Sequence, residues 1–459
     1  MSAGTVLVGA AGYAFVALGG HTLPTADAAA LSSFYMLVNT IGPGLFIALE
    51  QETNRATSSV LATRSNPRPV IRRAVAHGAV LWGVVFLVLG VLYPFLVDRS
   101  LLGHWELFWA LVVSTVTAAA VYLVRGVLGG MQLFDGYATT LAGEGLMRLL
   151  PALVVAAAGL ATARLYGFVF ALGSGIGAIA GLGWLCRGVG VQRSGNATIP
   201  ADLVAAPGIA PASSPRFDTP RVRGLAPLVS ATLLAQVVAN LAPIVVTARL
   251  TADAATAAAF AAGFILARVP LFVFSPLQAV VLPAIAGAVT QGQTARVHRI
   301  VRTSLLAAAG VGVVGTALLL IAGPWAVRTL FGAEAPLPGQ VLGLLGMGTL
   351  LLIAAQILQA ALVALQAHLA VTASWQLSIV TLIALLMLPI HPVHAAVVAQ
   401  LTSSAVVVVT MSATLIVRLR SAAAGPTAAT ATSPTIAATT SRGVHPTLPV
   451  QRDGGTSRS

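Results

Sequence analysis

Apolar segments long enough to cross a bilayer, separated by short polar turns, follow one another along the chain up to about residue 420. A membrane-spanning helix needs about 20 predominantly apolar residues, because each residue advances it by about 1.5 Å. The pattern therefore predicts twelve spanning helices. They are expected at residues 3–20, 28–49, 74–97, 107–124, 146–163, 165–186, 225–248, 257–286, 304–323, 339–362, 369–390 and 394–417.

Two of these segments have unusual features. The first begins almost at Met1 with no basic stretch before it, so we predict a spanning helix there and not a cleaved signal peptide. The eighth is long and contains Pro270, Pro276 and Pro283. Because proline removes a helical hydrogen bond, a kink is expected in this segment.

The composition excludes a soluble domain. Hydrophobic residues make up 57% of the chain and charged residues 8%, with a mean hydropathy of +0.92. Soluble domains carry about 25% charged residues. The sequence therefore predicts an all-α integral membrane protein.

The charge distribution predicts the orientation. All 25 basic residues are arginine, against 12 acidic residues, and the net charge is +13. With the predicted spans, twenty arginines fall on the side of the chain termini and four on the opposite side, namely Arg99, Arg164, Arg249 and Arg328. Arginine-rich loops stay in the cytoplasm. We therefore predict a multi-pass protein of the cell membrane with both termini cytoplasmic, and no nucleic-acid partner.

An internal repeat indicates two equivalent halves. Residues 25–34 read TADAAALSSF and residues 251–260 read TADAATAAAF, identical at six of ten positions. Both copies fall in the outer loop between the first and second helix of a six-helix group, so the halves share one orientation and form a parallel repeat. The predicted domains are a lobe at 1–186, a cytoplasmic linker at 187–224, a second lobe at 225–420 and a disordered cytoplasmic tail at 421–459.

The second half carries segments that resemble a known family. They are Gln236-Val-Val-Ala-Asn240, Ala262-Gly-Phe-Ile-Leu-Ala-Arg-Val-Pro270, Val281-Leu-Pro283 and Arg299-Ile-Val-Arg302, and residues 28–80 look like the matching part of the first half. They resemble polysaccharide-type (Wzx-like) flippases of the multidrug/oligosaccharidyl-lipid/polysaccharide exporter superfamily. The resemblance implies a V-shaped, two-lobed transporter that moves a lipid-linked oligosaccharide from the cytoplasmic to the outer leaflet by alternating access. Such substrates carry an anionic pyrophosphate.

Arg268 is the sharpest candidate for substrate binding. It lies about twelve residues, or roughly 18 Å, into the eighth span. A charge at that depth costs about 2.5–3.5 kcal/mol, so something must offset it. In the functional interpretation Arg268 faces the cleft and its planar donors bind the pyrophosphate. In the alternative it pairs with a carboxylate or with carbonyls freed around Pro270.

Four more polar residues are candidates for the substrate site. Gln236 and Asn240 are four residues apart and share one helix face, which faces either a cavity or another helix. Asn39 occupies a place in the first half similar to that of Arg268 in the second, which predicts that the two face each other across the cleft. Arg249 ends the seventh span, where it either lines the outer mouth of the cleft or reaches toward the membrane interface.

The acidic residues are predicted to lie away from mid-membrane. Asp135 and Glu144 are assigned to the loop before the fifth span, and Asp27 and Asp253 to outer loops as helix N-caps. Exporters of cationic drugs usually need an intramembrane carboxylate. Its predicted absence favours an anionic substrate.

Glu50 and Glu52 end the second span and are predicted to pair with Arg55 and its neighbours in a cytoplasmic gate, with ion binding as the alternative. No His, Cys, Asp or Glu pattern has metal-site spacing, and no nucleophile has a plausible base. The sequence therefore predicts a transporter that is not an enzyme and needs no metal or cofactor.

Two rival functions remain open at this point. A multidrug exporter of the same architecture would share the twelve helices. A non-transporting scaffold would instead use the basic loop and tail to recruit cell-envelope glycan synthesis enzymes. The expected partners of the flippase are a lipid-linked glycan and membrane lipids.

Overall fold

The computed structural model describes residues 2–194 except 64, and residues 225–423 except 272–273, 275–280, 282–283, 286 and 290. Within these residues we number twelve helices in chain order. They are α1 (Ser2–Thr22), α2 (Thr25–Ala62), α3 (Arg68–Phe95), α4 (Trp105–Gly130), α5 (Phe134–Ala157), α6 (Ala163–Ser194), α7 (Leu225–Arg249), α8 (Ala254–Leu266), α9 (Thr294–Phe331), α10 (Gly339–Ala364), α11 (His368–Leu386) and α12 (Pro392–Ala423). A π-helical turn, Leu96–Ser100, continues α3.

In the described part of the chain, twelve helical segments are long and apolar enough to cross a membrane. Their number is even, so both described chain ends lie on one face of the bundle, which we call the terminus face. Large apolar side chains remain exposed on α3 and α9, among them Val91 at 74% and Ile321 at 80%. A soluble protein does not expose such continuous apolar surface. The predicted all-α membrane fold is confirmed.

Helix packing repeats with an offset of six helices. In the first lobe α1 packs on α5, α3 on α4, α4 on α6 and α5 on α6. In the second lobe α7 packs on α11, α9 on α10, α10 on α12 and α11 on α12. The third helix of each lobe, α3 or α9, is also the least buried of its lobe. The predicted parallel repeat of two six-helix lobes thus has a direct counterpart in the packing.

The fifth span was predicted wrongly. Residues 146–163 were expected to cross the membrane, but α5 runs from Phe134 to Ala157. The prediction began the span too late because Asp135, Glu144 and Arg148 make the first half of α5 appear polar. The structure buries Glu144 and Arg148 against partners on other helices, which a sum of residue hydropathies does not register.

Other boundaries also differ from the prediction. The helix α6 continues to Ser194, eight residues into the segment predicted as the linker. The rest of that linker, 195–224, and the predicted tail beyond Ala423 lie outside the described residues. Pro276 and Pro283 lie outside them as well. The helix α8 ends at Leu266, four residues before Pro270, which lacks the N–H that the Leu266 carbonyl would need to continue the helix.

One of the two predicted N-caps is confirmed. Asp253 caps α8, since its Oδ1 accepts a hydrogen bond from the Thr256 N–H at 3.1 Å. That hydrogen bond lowers the pKa of Asp253. The assignment of Asp27 was wrong, because α2 begins at Thr25 behind the N-cap Pro24. Asp27 lies in the first turn and contacts His104 Nε2 at 3.2 Å.

The two lobes meet mainly along α2 and α7. The Thr232 hydroxyl donates to the Gly44 carbonyl at 2.7 Å, and a Cβ at Gly44 would lie 3.0 Å from the Leu233 side chain. At the face opposite the termini, Thr25 Oγ1 donates to Glu334 Oε2 at 2.8 Å. The lobes are therefore in contact at that face.

Candidate functional site

A cavity of about 530 Å³ lies between the lobes. It receives side chains from α1 and α2 of the first lobe and from α7, α8, α10 and α11 of the second. The polar residues that line it are Thr5, Tyr13, Tyr35, Asn39, Gln51, Thr232, Gln236, Asn240, Arg268, Gln356, Gln359 and Trp375. Four of the five residues predicted for the substrate site thus line one cavity.

Arg268 lies just beyond the end of α8 and contacts α7 at a point where a helical hydrogen bond is missing. It follows α8 directly, and one of its Nη2 hydrogen bonds goes to the carbonyl oxygen of Ala239 in α7. That carbonyl lies four residues before Pro243, which has no N–H to donate to it. The guanidinium carbon also lies 4.4 Å from the ring centroid of Phe264. The proline in α7 therefore creates the acceptor that holds the arginine.

This geometry resembles the alternative in which Arg268 is held by a backbone carbonyl that a proline leaves without a donor. The carbonyl was expected near Pro270, but the one used is freed by Pro243. Arg268 Nε is buried and has no hydrogen-bond partner within the described part of the chain. Among the described lining residues Arg268 is the only charged side chain, so its charge meets dipoles but no carboxylate in the cavity.

Amide side chains form most of the remaining polar lining. Asn240 Nδ2 lies 3.2 Å from Gln236 Oε1, as their shared helix face predicts. Asn39 Nδ2 donates to the Tyr35 carbonyl at 2.8 Å within α2. Each amide therefore keeps further donor or acceptor capacity near the cavity.

The sequence analysis missed the contribution of α10 and α11. Gln356 and Gln359 lie three residues apart on α10, and Trp375 Nε1 donates to Gln359 Oε1 at 2.8 Å. The signal was available, because two glutamines at helical spacing inside an apolar span indicate a polar face. It did not distinguish a cavity from a helix contact, and the same ambiguity holds for Gln51 and the two tyrosines.

Arg249 does not line the cavity. Its guanidinium donates to the carbonyls of Leu386 at 2.6 Å and of Leu388 and Ile390 at 3.1 Å. These groups lie at the end of α11 and in the turn that follows, where helical partners are lacking. Arg249 therefore caps the C-terminal end of α11, a helix of its own lobe.

Two of the three predicted gate residues contact each other, and the third has a different partner. Glu52 and Arg55 form an ion pair at 2.9 Å. Glu50 instead accepts a hydrogen bond from the Tyr137 hydroxyl at 2.6 Å. Glu52 and Arg55 line a second cavity beside α3, and none of the three residues lines the central one.

A buried charge cluster in the first lobe corrects another prediction. Glu144 was assigned to a loop, but it lies near the middle of α5 and is 5% exposed. Its carboxylate lies 2.5 Å from both Arg125 and Arg148 and accepts a hydrogen bond from Ser174 at 2.8 Å. The statement that no carboxylate lies at mid-membrane was therefore wrong. The guanidinium groups of Arg125 and Arg148 already neutralise the Glu144 carboxylate, so this carboxylate offers no unpaired negative charge to a cation.

The described residues contain no group of three or more His, Cys, Asp or Glu that could hold a metal ion. The chemistry of the central cavity is thus that of one guanidinium, several amides and hydroxyls, and apolar walls.

No protein-family model and no curated protein sequence matches the chain. Solved structures do. An inward-facing multidrug resistance MATE-family transporter of the MOP superfamily aligns with a TM-score of 0.68 and 10% identity, covering 91% of this chain and 96% of that one. The lipid II flippase MurJ in an inward closed conformation gives 0.61 and 11%, covering 92% and 89%. The Vibrio cholerae MATE transporter VcmN gives 0.58 and 14%, covering 91% and 93%. At these identities the likeness shows a shared fold.

Proposed function

We propose that the chain is a flippase-type exporter. Its substrate would be a polyprenyl-pyrophosphate-linked oligosaccharide or a similar cell-envelope polysaccharide precursor, moved from the inner to the outer leaflet. The observation that carries the proposal is the charge of the central cavity. Arg268 is its only charged side chain among the described lining residues, which suits an anionic group and disfavours a cation.

The contacts of Arg268 support an exchange of acceptors. Its guanidinium donates to the Ala239 carbonyl, which has no helical donor because Pro243 lacks an N–H. A phosphate oxygen is a stronger acceptor because the hydrogen bond is then charge-assisted, and the planar guanidinium can bind two oxygens at once. A pyrophosphate would thus replace a neutral acceptor with a charged one.

The amide lining supports recognition of sugars. Sugar hydroxyls both donate and accept hydrogen bonds, and so do the side chains of Asn39, Gln236 and Asn240. The polyprenyl tail would stay in the bilayer while the head group occupies the cavity. Transport then requires the lobes to separate at the face where Thr25 now contacts Glu334, which the proposed orientation makes the outer face.

The first test is a mass-spectrometric profile of membrane lipids from cells with and without the gene. Loss of a required flippase should cause a polyprenyl-pyrophosphate glycan to accumulate. Cells that carry Arg268→Gln should show the same accumulation, because neutral glutamine removes the charge-assisted contact. Arg164→Gln is the matched control, since Arg164 is exposed and does not line the cavity. Unchanged lipid-linked glycans in deleted cells, or normal export by a folded Arg268→Gln protein, would refute the proposal.

Multidrug export is the second candidate, because a MATE transporter gives the TM-score of 0.68. It predicts that loss of the gene raises sensitivity to cationic compounds while the lipid-linked glycans stay constant. A scaffold that recruits envelope enzymes through its tail predicts instead that removal of residues 421–459 abolishes function. The same two strains and this truncated chain therefore separate the three functions.

A further inference from the structure

A second cavity, of about 400 Å³, lies between the end of α2 and the start of α3 at the terminus face. We call it the α2–α3 groove. Its apolar walls come from both helices and include Leu49, Ala56, Val60, Pro69 and Val70. Since Glu52 and Arg55 line the groove while Gln51 lines the central cavity, α2 separates the two spaces.

Basic side chains surround the apolar walls. Arg73 and His77 lie four residues apart on α3, so both point from the same helix face, and both line the groove. Arg68 and Arg72 are exposed in the first turns of α3. The only acidic residue among the described lining residues is Glu52, and it is already paired with Arg55 at 2.9 Å. The rim therefore carries unbalanced positive charge.

The groove is continuous with the lipid-facing surface of α3. Beyond His77 the helix exposes Val80, Val84, Leu87 and Val91, with exposed fractions from 56% to 74%. Thr53, which also lines the groove, has a buried hydroxyl with no hydrogen-bond partner within the described residues. An occupant that enters from the bilayer can thus meet both apolar walls and a basic rim.

We propose that the α2–α3 groove binds one anionic phospholipid of the surrounding leaflet. An acyl chain would lie against Leu49, Ala56 and Val60, and the headgroup phosphate would contact Arg73 and His77. Basic pockets between helices at a membrane surface favour anionic headgroups in this way. The site is distinct from the central cavity, so it does not depend on which substrate the protein exports.

The test is native mass spectrometry of the purified full chain in detergent with equal amounts of phosphatidylglycerol and phosphatidylcholine of matched acyl chains. The wild type should retain one phosphatidylglycerol in preference to phosphatidylcholine. In Arg73→Gln/His77→Gln that preference should fall by about tenfold. Arg418→Gln is the matched control, because it removes a basic charge from the exposed end of α12 at the same face. It should leave retention unchanged.

A second variant tests the apolar part of the site without altering charge. Ala56→Leu places a larger side chain in the groove and should reduce retention of both lipids. Each variant is first checked for a single species and wild-type thermal unfolding, so that a misfolded protein is not counted. Equal retention of the two lipids by the wild type would overturn the proposal, as would unchanged retention by a folded Arg73→Gln/His77→Gln protein. Displacement of phosphatidylglycerol by undecaprenyl phosphate in the wild type, with loss in the same variants, would assign the groove to a substrate lipid instead.

Discussion

Replacing Glu144 by glutamine tests the buried charge cluster of the first lobe. The carboxylate lies 2.5 Å from the guanidinium groups of both Arg125 and Arg148. The three side chains are between 5% and 10% exposed, so water screens their charges little. Glutamine keeps the shape and a hydrogen bond to Ser174 but removes the anion. The substitution leaves two guanidinium groups buried beside each other with no carboxylate between them.

The expected cost is large because one partner of a buried ion pair is removed. Breaking a buried ion pair in this way destabilises a protein by about 3–5 kcal/mol. A loss of 1 kcal/mol shifts the unfolding temperature of a domain of 150–250 residues by about 2–4 °C. Glu144→Gln should therefore lower the unfolding temperature of the purified protein by about 6–20 °C. Intrinsic tryptophan fluorescence during heating in detergent measures it.

Two further variants show whether the cause is the buried charge. Asp135→Asn makes the same charge change in the same helix at an exposed position, and it should cost at most about 1 kcal/mol. Adding Arg148→Met to Glu144→Gln removes one of the two surplus cations and should recover part of the lost stability. The reasoning is refuted if Glu144→Gln costs no more than Asp135→Asn, or if the second substitution only adds to the damage.

Three smaller predictions concern the ends and interruptions of helices. Asp253→Ala removes the N-cap of α8 and should cost about 1 kcal/mol at neutral pH. The pKa of Asp253 is lowered in the folded state, so the stabilisation by its carboxylate is present above the unfolded pKa of about 3.9 and is lost as the pH falls below that value. Unfolding of the wild type and of Asp253→Ala at pH 7 and at pH 3 measures this loss. Arg249→Gln leaves carbonyls after α11 without their donor and should lower the free energy of unfolding by about 1–3 kcal/mol in the same heating assay. Pro243→Ala supplies an N–H that competes with Arg268 for the Ala239 carbonyl. It should raise the unfolding temperature while lowering export, because Arg268 is then no longer held in place at the cavity wall.

The helices could be predicted from the sequence because the bilayer imposes a length on each apolar segment. The repeat followed from two short matching stretches and was matched by the packing of both lobes. The bounds of the fifth span were predicted wrongly for a physical reason. Glu144 and Arg148 each look costly in lipid, and the arginine of α4 that pairs with the glutamate is more than a dozen residues away in the chain. Pairing across helices is not visible in a window of hydropathy.

The central cavity was predicted in part. Arg268, Asn39, Gln236 and Asn240 all line it, because polar side chains inside a span must face something other than lipid. The same argument does not say which partner a side chain will meet. It left Arg249 either at the outer mouth of the cleft or at the membrane interface, whereas the side chain donates to carbonyls at the end of α11. The sequence shows how far along a span a residue lies, but it does not show which neighbouring helix the side chain contacts.

The buried arginines of the two lobes are stabilised in different ways, and this difference bears on function. Arg125 and Arg148 share the carboxylate of Glu144, so their charge is balanced inside the first lobe. Arg268 donates to a carbonyl and lies over an aromatic ring, and no carboxylate is among the described residues that line its cavity. A charge balanced by a carboxylate holds helices together and has little to gain from a ligand. A charge held only by dipoles, at the wall of a cavity, gains strongly when an anion arrives. Under the proposed function, we therefore expect the second lobe to carry the group that engages the substrate, while the charge cluster holds together the helices of the first lobe.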